Sequence, residues 1–185
     1  MSRRRPSGAP VCIKGAAESL PFIDGQFDAA LAVLTLHHWS NPETGLREMR
    51  RVAMRVVIFT IDPGPMDDFW LTRDYFPEFI EQDRERFPAM DWYGQVLGEV
   101  RIEEVPIPWD CTDGFLGAYW KRPEKYLDEN ARAGISSFQQ ADPLVVQRGI
   151  KALKADLDSG EWRRRNAGIA ELTELELGYS LVITA

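Results

Sequence analysis

Two continuous apolar runs on either side of a helix signal constrain the fold of this chain most strongly. The runs are residues 27–35 and 56–61, each broken only by isolated polar residues. Apolar runs without alternation are typical of strands in a parallel sheet whose two faces are both covered by helices. Between them, Asn41 can cap a helix that begins at Pro42 and runs to about Ala53. This order predicts two adjacent parallel strands joined by a right-handed crossover.

The later part of the chain carries several helix patterns. Residues 66–98 are rich in aromatic side chains and predict short helices over the sheet edge, and residues 113–133 predict a helical segment with breaks. We expect both segments to form cap helices on the substrate side. Aromatic residues at helical spacing belong to the core more often than to a pocket, and we favour that interpretation for residues 69–92. A longer helix is predicted to begin at Pro143 and to stop at Gly160.

Three shorter stretches are predicted as additional strands, namely residues 11–13, 100–107 and 178–185. Pro106 places the second of them near a sheet edge, because proline cannot donate a hydrogen bond to a central strand pair. Strands that alternate with helices and end in a terminal strand predict an α/β doubly wound sheet. This fold class assigns no function by itself.

Composition limits the size of the domain and the kind of partner. The chain has 185 residues, of which 44% are hydrophobic, and this suits a single domain spanning residues 1–185. A net charge of -7 at pH 7 argues against nucleic acid as the main partner, because phosphate binding needs clustered Lys and Arg. The run from Arg163 to Arg165 is the exception, and we interpret it as a solvated cluster near a helix end.

Cysteine usage and the length of the apolar runs bear on the compartment. Cys12 and Cys111 lie far apart and outside any Cys-x-x-Cys spacing, so neither a disulfide framework nor a zinc site is indicated. No apolar run reaches the length of a transmembrane helix, and the first residues lack the apolar core of a signal peptide. We therefore expect a cytoplasmic protein with no membrane partner.

Two loop motifs and a helix motif add a family resemblance. Residues 15–22 read Gly-Ala-Ala-Glu-Ser-Leu-Pro-Phe, and residues 36–39 read Leu-His-His-Trp after an apolar run that begins with Phe27 and Asp28. With the Gly-Leu-Arg-Glu-Met-Arg-Arg-Val-Ala segment at 45–53, they resemble class I S-adenosylmethionine-dependent methyltransferases of the type 11 group. The resemblance implies a Rossmann-like sheet and methyl transfer from S-adenosylmethionine to a small organic acceptor.

The resemblance also implies where the site residues lie. The loop at 15–22 would lie beside the adenine, with the backbone amide of Ala17 facing the adenine edge. Many relatives place Asp at the position of Ala16, so one polar contact is missing here. The loop at 36–39 would border the methionine end of the cofactor and the acceptor. The implied cofactor-binding residues are Ala16, Ala17, Glu18, Thr35, Leu36 and His37; the implied catalytic residue is His38; and the implied substrate-binding residues are Trp39, Asp110, Cys111, Tyr119 and Trp120.

The sequence departs from the family at the front of the sheet. It contains no Gly-x-Gly-x-Gly after an apolar strand and no acid ending a second strand to hold the ribose hydroxyls. A glycine loop lets the backbone approach the cofactor, and the acid supplies charge-assisted hydrogen bonds, so we expect impaired cofactor binding. We interpret the chain as an N-terminally truncated methyltransferase domain with a partial sheet that starts at the family's third strand.

A partial sheet predicts an exposed strand edge. In the family the first two strands lie between the third and the fourth, so residues 27–35 would keep one unpaired edge. Long apolar edges favour pairing with another chain. We therefore expect either a homodimer through this edge or capture of residues 11–14 as a neighbouring strand.

His37 and His38 are the only histidines of the chain. Neighbours on an extended chain point to opposite sides, so a shared metal is not indicated, and a metal-dependent hydrolase fails for lack of ligands. His38 could orient or deprotonate an acceptor, but methyl transfer often needs only alignment, and a structural role stays the favoured interpretation. The rival hypothesis from another class is a catalytically silent remnant that acts as an interaction module.

Overall fold

The computed structural model describes Gly8 and residues 10–185, and a four-stranded mixed sheet lies at its centre. The strands are β1 (Phe27–Val33), β2 (Ala53–Ile61), β3 (Val100–Glu104), β4 (Ile107–Pro108), β5 (Glu174–Leu175) and β6 (Tyr179–Thr184). The order across the sheet is β1-β2-β6-β3, and β4 pairs separately with β5. Strand β1 is parallel to β2, whereas β6 is antiparallel to both of its neighbours.

Helices follow the strands on both sides of the sheet. The α-helices are α1 (Pro42–Val52), α2 (Trp70–Asp74), α3 (Pro77–Arg86), α4 (Met90–Leu97), α5 (Glu129–Ala133), α6 (Ser136–Gln140), α7 (Pro143–Ser159) and α8 (Glu161–Arg165). Short 3-10 turns span Leu36–His38, Gly64–Asp67, Pro123–Leu127 and Ala167–Ile169. No helix of the described residues is both long enough and apolar enough to cross a bilayer.

The unit of β1, α1 and β2 confirms the predicted crossover. The side-chain oxygen of Asn41 accepts a hydrogen bond from the Thr44 amide at 2.9 Å, and Pro42 opens the helix. The parallel register pairs Ala30 with Val56. The boundaries differ slightly from the prediction, since β1 ends at Val33 and β2 follows α1 without a loop.

Two hydrophobic clusters lie on opposite sides of the sheet. The smaller cluster packs α1 and α4 against the sheet and includes Ala32, Leu46 and Ile58. The larger cluster gathers the aromatic side chains of α2 and α3 with residues from the later helices. Phe76 and Phe79 are fully buried in it, which confirms that the aromatic segment belongs to the core.

Strand β1 departs from the prediction that both of its faces are covered. Ala32 is 4% exposed, whereas Leu31 and Val33 on the opposite face are 65% and 51% exposed. Side chains alternate between the two faces of a strand, so one whole face of β1 is open in the described part of the chain. The apolar run predicted a buried strand because sequence alone does not show whether a second layer is present.

The strand expected at residues 11–13 is not formed. Val11 is 90% exposed and Ile13 is 57% exposed, and this segment has no paired partner among the residues that the structure describes. The expected capture of residues 11–14 as a neighbour of β1 is therefore wrong for this structure. An isolated strand satisfies no backbone hydrogen bonds, and a short apolar run without a pairing edge stays irregular.

The remaining predictions are mostly confirmed. Residues 100–107 split at Pro106 into the edge strand β3 and the short β4, and β6 lies within residues 178–185. Helix α7 ends at Gly160, whose φ of 78° is the left-handed conformation that glycine tolerates. The arginine cluster is not simply solvated, because Arg165 forms ion pairs with Asp74 and Asp156.

Candidate functional site

The chain turns sharply where β1 ends. Leu34 has a φ of 41°, a backbone conformation that residues other than glycine rarely adopt. Its amide donates a hydrogen bond to the Phe59 carbonyl at 2.9 Å. The 3-10 turn Leu36–His38 follows, with the His38 amide donating to the Thr35 carbonyl at 2.9 Å. Strained backbone conformations cluster at functional sites, and this one lies at the carboxyl end of a parallel strand.

A cavity of about 200 Å³ opens beside this turn. It lies where β1 and β2 end, between the Leu36–His38 turn and α3. Its polar lining includes His37, His38, Asp83, Arg86, Ser136 and Ser137. Its apolar walls include Leu34, Ile61, Phe87, Phe115, Ile135 and Tyr179. We refer to it below as the acceptor pocket, after the expectation from the resemblance that an acceptor binds near the turn at 36–39.

A second, more open depression of about 370 Å³ runs along the exposed side of β1. Ala17, Leu20 and Phe22 form one wall, and Ala29, Leu31, Val33, Thr35 and Trp39 lie along the other. Its lining carries no charged side chain. We refer to it as the β1 groove. The acceptor pocket and the β1 groove are separated by the short turn after β1.

The loop at 15–22 is anchored along β1 by α1. The Glu48 carboxylate accepts from the Leu20 amide at 2.9 Å, and the Arg51 guanidinium donates to the Phe22 carbonyl at 2.8 Å. Arg51 also pairs with Glu48 at 2.7 Å. This pairing, with the hydrogen bond from the Leu20 amide, lowers the pKa of Glu48 to about 2. Helix α1 therefore positions the loop through Glu48 and Arg51. In the sequence, only their place in the family motif distinguished these two residues from other charged residues of the helix.

Glu18 links the same loop to the start of α1. Its carboxylate accepts a hydrogen bond from the Asn41 amide at 3.0 Å, and this bond lowers the pKa of Glu18. The contact holds Ala17 near Thr35, while the rings of Phe22 and Phe27 meet at 4.9 Å at the opposite end of β1. Ala17 therefore lies at the carboxyl end of β1, the end at which ligands bind in open α/β sheets.

His37 lies at the base of the turn and is half-buried. Its ring centroid is 3.9 Å from that of His38 and 4.9 Å from that of Phe87. Burial, together with the positive charges of His38 and Arg86, lowers the pKa of His37 to about 4, so the ring is neutral at pH 7. The Nδ1 atom of His37 is buried without a hydrogen-bond partner among the described residues.

The two histidines are neighbours on one helical turn, which corrects the assumption that they point to opposite sides. The 3-10 conformation brings both rings to the same pocket. The structure still offers no metal centre in the described residues, since no group of three His, Cys, Asp or Glu side chains is suitably placed.

Asp83 is a pocket residue that the sequence analysis did not identify. It lies on α3, is 7% exposed, and burial raises the pKa of its carboxyl to about 6. The nearby charge of Arg86 acts in the opposite direction. The available signal was its spacing, because Asp83 lies four residues after the buried Phe79 and four before Phe87. The surrounding run of charges made the residue look solvated.

The implied cofactor-binding residues fall into two groups. Ala17 and Thr35 line the β1 groove, whereas His37 faces the acceptor pocket. Leu36 is 2% exposed and packs in the core, so only its backbone is available to a ligand. Ala16 lies in the loop and forms an isolated bridge with Ser19; Glu18 has the anchoring role described above.

The implied substrate-binding residues are not gathered at one place. Trp39 lines the β1 groove rather than the acceptor pocket, and Asp110 is exposed on a turn. Trp120 is fully buried and donates from Nε1 to the Ile107 carbonyl at 2.9 Å. Tyr119 and Cys111 are partly buried and do not line the acceptor pocket. His38 does line it, from an exposed position.

Comparisons with known proteins indicate the family of the chain. A family model described as a methyltransferase domain matches residues 1–59. The crystal structure of a protein from Anabaena variabilis ATCC 29413, named as a methyltransferase from an antibiotic biosynthesis pathway, is 36% identical in sequence. Its superposition has a TM-score of 0.87 and covers 94% of this chain and 72% of that one.

Two curated relatives match over shorter stretches. The uncharacterized protein YafE of Escherichia coli (strain K12) is 38% identical over 63 residues, which are 31% of this chain and 30% of that protein. The chloroplastic 2-methyl-6-phytyl-1,4-hydroquinone methyltransferase 1 of Oryza sativa subsp. japonica is 24% identical over 98 residues, which are 52% of this chain and 29% of that protein. The chain thus spans less than a third of either relative. The similarity to the Anabaena structure over nearly the whole chain, in sequence and in fold, shows that the chain belongs to the methyltransferase family.

Proposed function

We propose that the chain takes part in S-adenosylmethionine-dependent methyl transfer to a small acceptor held in the acceptor pocket. The carrying observation is that this pocket lies at the carboxyl ends of the two parallel strands, next to the strained turn at Leu34. Ligands of open α/β sheets bind at these strand ends. Family membership supports the reaction class, and the pocket at the strand ends supports the proposed position.

The β1 groove fits one part of S-adenosylmethionine. Its apolar walls and the hydroxyl of Thr35 suit the adenine, and the Ala17 end of the groove is the end nearest the acceptor pocket. Its lining offers no charged side chain for the ribose hydroxyls or the amino-acid end. Ala17 and Thr35 would therefore hold the adenine side, and the cofactor, when bound, supplies an electrophilic methyl group.

The chain's own residues would orient the acceptor and exclude water. Leu34, Phe87 and Phe115 give the pocket apolar walls, and a dry pocket strengthens each polar contact inside it. His38 lies at the exposed side of the pocket, where it can orient the acceptor. Alignment of the nucleophile with the methyl group is the main requirement of such a transfer.

Cofactor affinity of this chain is the first test. We expect calorimetric titration with S-adenosylmethionine to show weak binding, because each charge-assisted hydrogen bond missing at the ribose removes about 1.5 to 3 kcal/mol. Two such bonds amount to roughly a hundredfold or more in affinity. A one-to-one complex of low-micromolar affinity would refute the assigned cofactor position and the expected impairment.

His38 provides the second test. In a preparation that transfers methyl groups, His38→Ala is expected to lower kcat while leaving the affinity for S-adenosylmethionine unchanged, because orientation of the acceptor matters mainly in the transition state. Glu85→Gln, on the exposed side of α3, is the matched control. Unchanged kcat in His38→Ala would return His38 to a structural role.

The open face of β1 supports a second candidate function. Among the described residues, β1 is an edge strand of the sheet, and its side chains Leu31 and Val33 are exposed and apolar. Such an edge can pair with another strand, as in a homodimer. Under this alternative the chain is a catalytically silent interaction module, and it would form a stable complex while showing no methyl transfer at any cofactor concentration.

A further inference from the structure

The acceptor pocket contains one feature that the methyltransferase assignment does not explain, the carboxylate of Asp83. The residue is 7% exposed and lines the cavity. Among the described residues its carboxylate accepts no hydrogen bond and forms no ion pair. Its backbone carbonyl accepts a hydrogen bond from the Phe87 amide at 2.9 Å, at the end of α3. A carboxylate that is largely buried and lines a cavity has lost much of its hydration, and a ligand in that cavity can supply the hydrogen bond that it lacks from the protein.

The surroundings of Asp83 restrict what that partner can be. Phe87, Phe115 and Tyr179 give the cavity aromatic walls, which favour an aromatic ring in edge-to-face or offset contact. The volume of about 200 Å³ is below the range of about 300 to 1,000 Å³ that is usual for drug-sized ligands, so the ligand is compact. Arg86 brings a positive charge to the same cavity that offsets the charge of Asp83, and this reduces the advantage that a cationic amine would otherwise have over a neutral hydroxyl group.

We propose that Asp83 binds the hydroxyl group of a compact aromatic acceptor and takes its proton during methyl transfer. This inference rests on the proposed function. The acceptor oxygen bonds to the methyl carbon, the carbon–sulfur bond breaks with its electron pair passing to sulfur, and the hydroxyl proton passes to an Asp83 carboxylate oxygen. His38, at the exposed side of the pocket, then keeps the orienting role rather than that of the base.

The location of the other titratable groups supports this division. His37 is neutral because it is half-buried, and its Nδ1 has no protein partner in the described residues, so it can contact a ligand without adding charge. The hydroxyl of Tyr179 accepts a hydrogen bond from the Gly117 amide at 3.1 Å, and burial raises its pKa, so this hydroxyl stays protonated and does not act as the base. Asp83 is the carboxylate among the lining residues of this cavity.

Ligand binding tests the inference without any methyl donor. Phenol and fluorobenzene have nearly the same shape, but only phenol can donate a hydrogen bond. We expect NMR titration of the chain at pH 7.5 to show that phenol binds about tenfold more tightly, with shifts at the acceptor pocket. Asp83→Asn should reduce this preference to about threefold or less, because hydrogen bonds to a charged acceptor are about twice as strong as neutral ones. Asp83→Leu should abolish the preference.

The matched control is Glu85→Gln, which removes the same charge from the exposed side of the same helix and should keep the tenfold preference. Equal binding of the two probes by the unmodified chain, or a full preference in Asp83→Leu, would overturn the inference. So would phenol shifts confined to the β1 groove. If phenol selection depends on Asp83 but S-adenosylmethionine does not bind, the recognition role stands and the proposed methyl transfer fails. If the cofactor binds with the weak affinity expected above but phenol selection is absent, the proposed function stands and this inference fails.

Discussion

The acceptor pocket and the β1 groove differ in how completely the chain encloses them. The acceptor pocket at the carboxyl end is closed by α3, the turn after β1 and residues 134–137, and it contains the buried Asp83. The β1 groove is open along the strand, with Leu31 and Val33 exposed. One region therefore has walls and polar groups that can select a ligand, whereas the other offers an apolar surface and an unpaired edge.

This difference teaches which part of the site the described residues complete by themselves. The acceptor pocket is lined by residues that extend from the end of β1 to β6. Under the proposed function, the cofactor would contact the anchored loop at 15–22 and the carboxyl end of β1. We expect changes in the pocket to alter protonation and ligand choice, and changes at the groove to alter association.

The largest effect is expected from Asp83→Asn in a pH series. A carboxyl whose pKa is raised on folding is more protonated in the folded state, so its contribution to stability is present at low pH and is lost as pH rises through about 6. Between the usual value of 3.8 and about 6, the loss amounts to about 3 kcal/mol. The unfolding free energy of Asp83→Asn relative to the unmodified chain should therefore rise by about that amount from about pH 3 to about pH 7.

Urea unfolding at each pH measures this difference. The charged and titratable groups that share the pocket are His37, His38, Arg86 and Tyr179, and both proteins carry them, so their own titrations largely cancel. The pKa of His37 is lowered on folding, which acts in the opposite sense and makes the chain more stable as pH rises through the range from about 4 to 6.5. A pH-independent difference would show that Asp83 is hydrated.

The next effect concerns association through the open edge. If the chain forms a homodimer by pairing β1 edges, Leu31→Lys should weaken the dimer by about a hundredfold, because a charge on an edge strand opposes pairing. Light scattering over a concentration series measures the change. Leu144→Lys on α7 is the control, because Leu144 is likewise apolar and 72% exposed but lies on a helix outside the sheet. A monomer at all concentrations would contradict the proposed dimer.

A smaller effect, on the unfolding free energy, is expected from a substitution at Gly45, where α1 meets the β1 groove. A Cβ atom at Gly45 would lie 2.4 Å from Cε3 of Trp39, so Gly45→Ala must displace the indole. We expect a loss of about 2 kcal/mol in unfolding free energy and a shift in Trp fluorescence, since overpacking typically costs 1 to 3 kcal/mol. Gly168→Ala is the control, because no atom lies within 4 Å of its added Cβ. Equal stability of the two variants would indicate that Trp39 moves freely.

The smallest effect is expected in the loop at 15–22. Arg51→Met removes the donors to the Phe22 and Leu20 carbonyls and the partner of Glu48. We expect hydrogen exchange at the Leu20 amide to become about tenfold faster, since local opening exposes the loop. Arg47→Met is the matched control, because Arg47 forms only an exposed pair with Glu43 on the same helix. Equal exchange in both variants would show that Glu48 alone holds the loop.

Sequence analysis recovered the elements whose signals are local. Asn41, Pro42 and the apolar runs specified the crossover of β1, α1 and β2, and Gly160 marked the end of α7. It also predicted the edge positions of β1 and β3. The crossover, the end of α7 and the edge position of β3 were predicted correctly because capping, proline geometry and side-chain periodicity act over a few residues. The edge position of β1 was inferred from the family resemblance.

The composition of the site was recovered less completely. His37 and His38 were identified and do line the acceptor pocket, but Asp83 was overlooked, and Trp120 is in the core. A charge within a charged run looks solvated until the packing partners of the helix are known. A tryptophan near a polar loop looks accessible until its indole is found donating to a buried carbonyl.

The sequence by itself determined the order of elements, the parallel pairing of β1 with β2, and the resemblance to a methyltransferase. Only the tertiary structure decided which face of β1 is open, that α3 presents Asp83 to the pocket, and that Arg51 fastens the loop at 15–22. The physical reason is the range of the interactions. Backbone conformation is biased by near neighbours, whereas burial and the pKa of a side chain depend on residues distant in sequence that fold onto it.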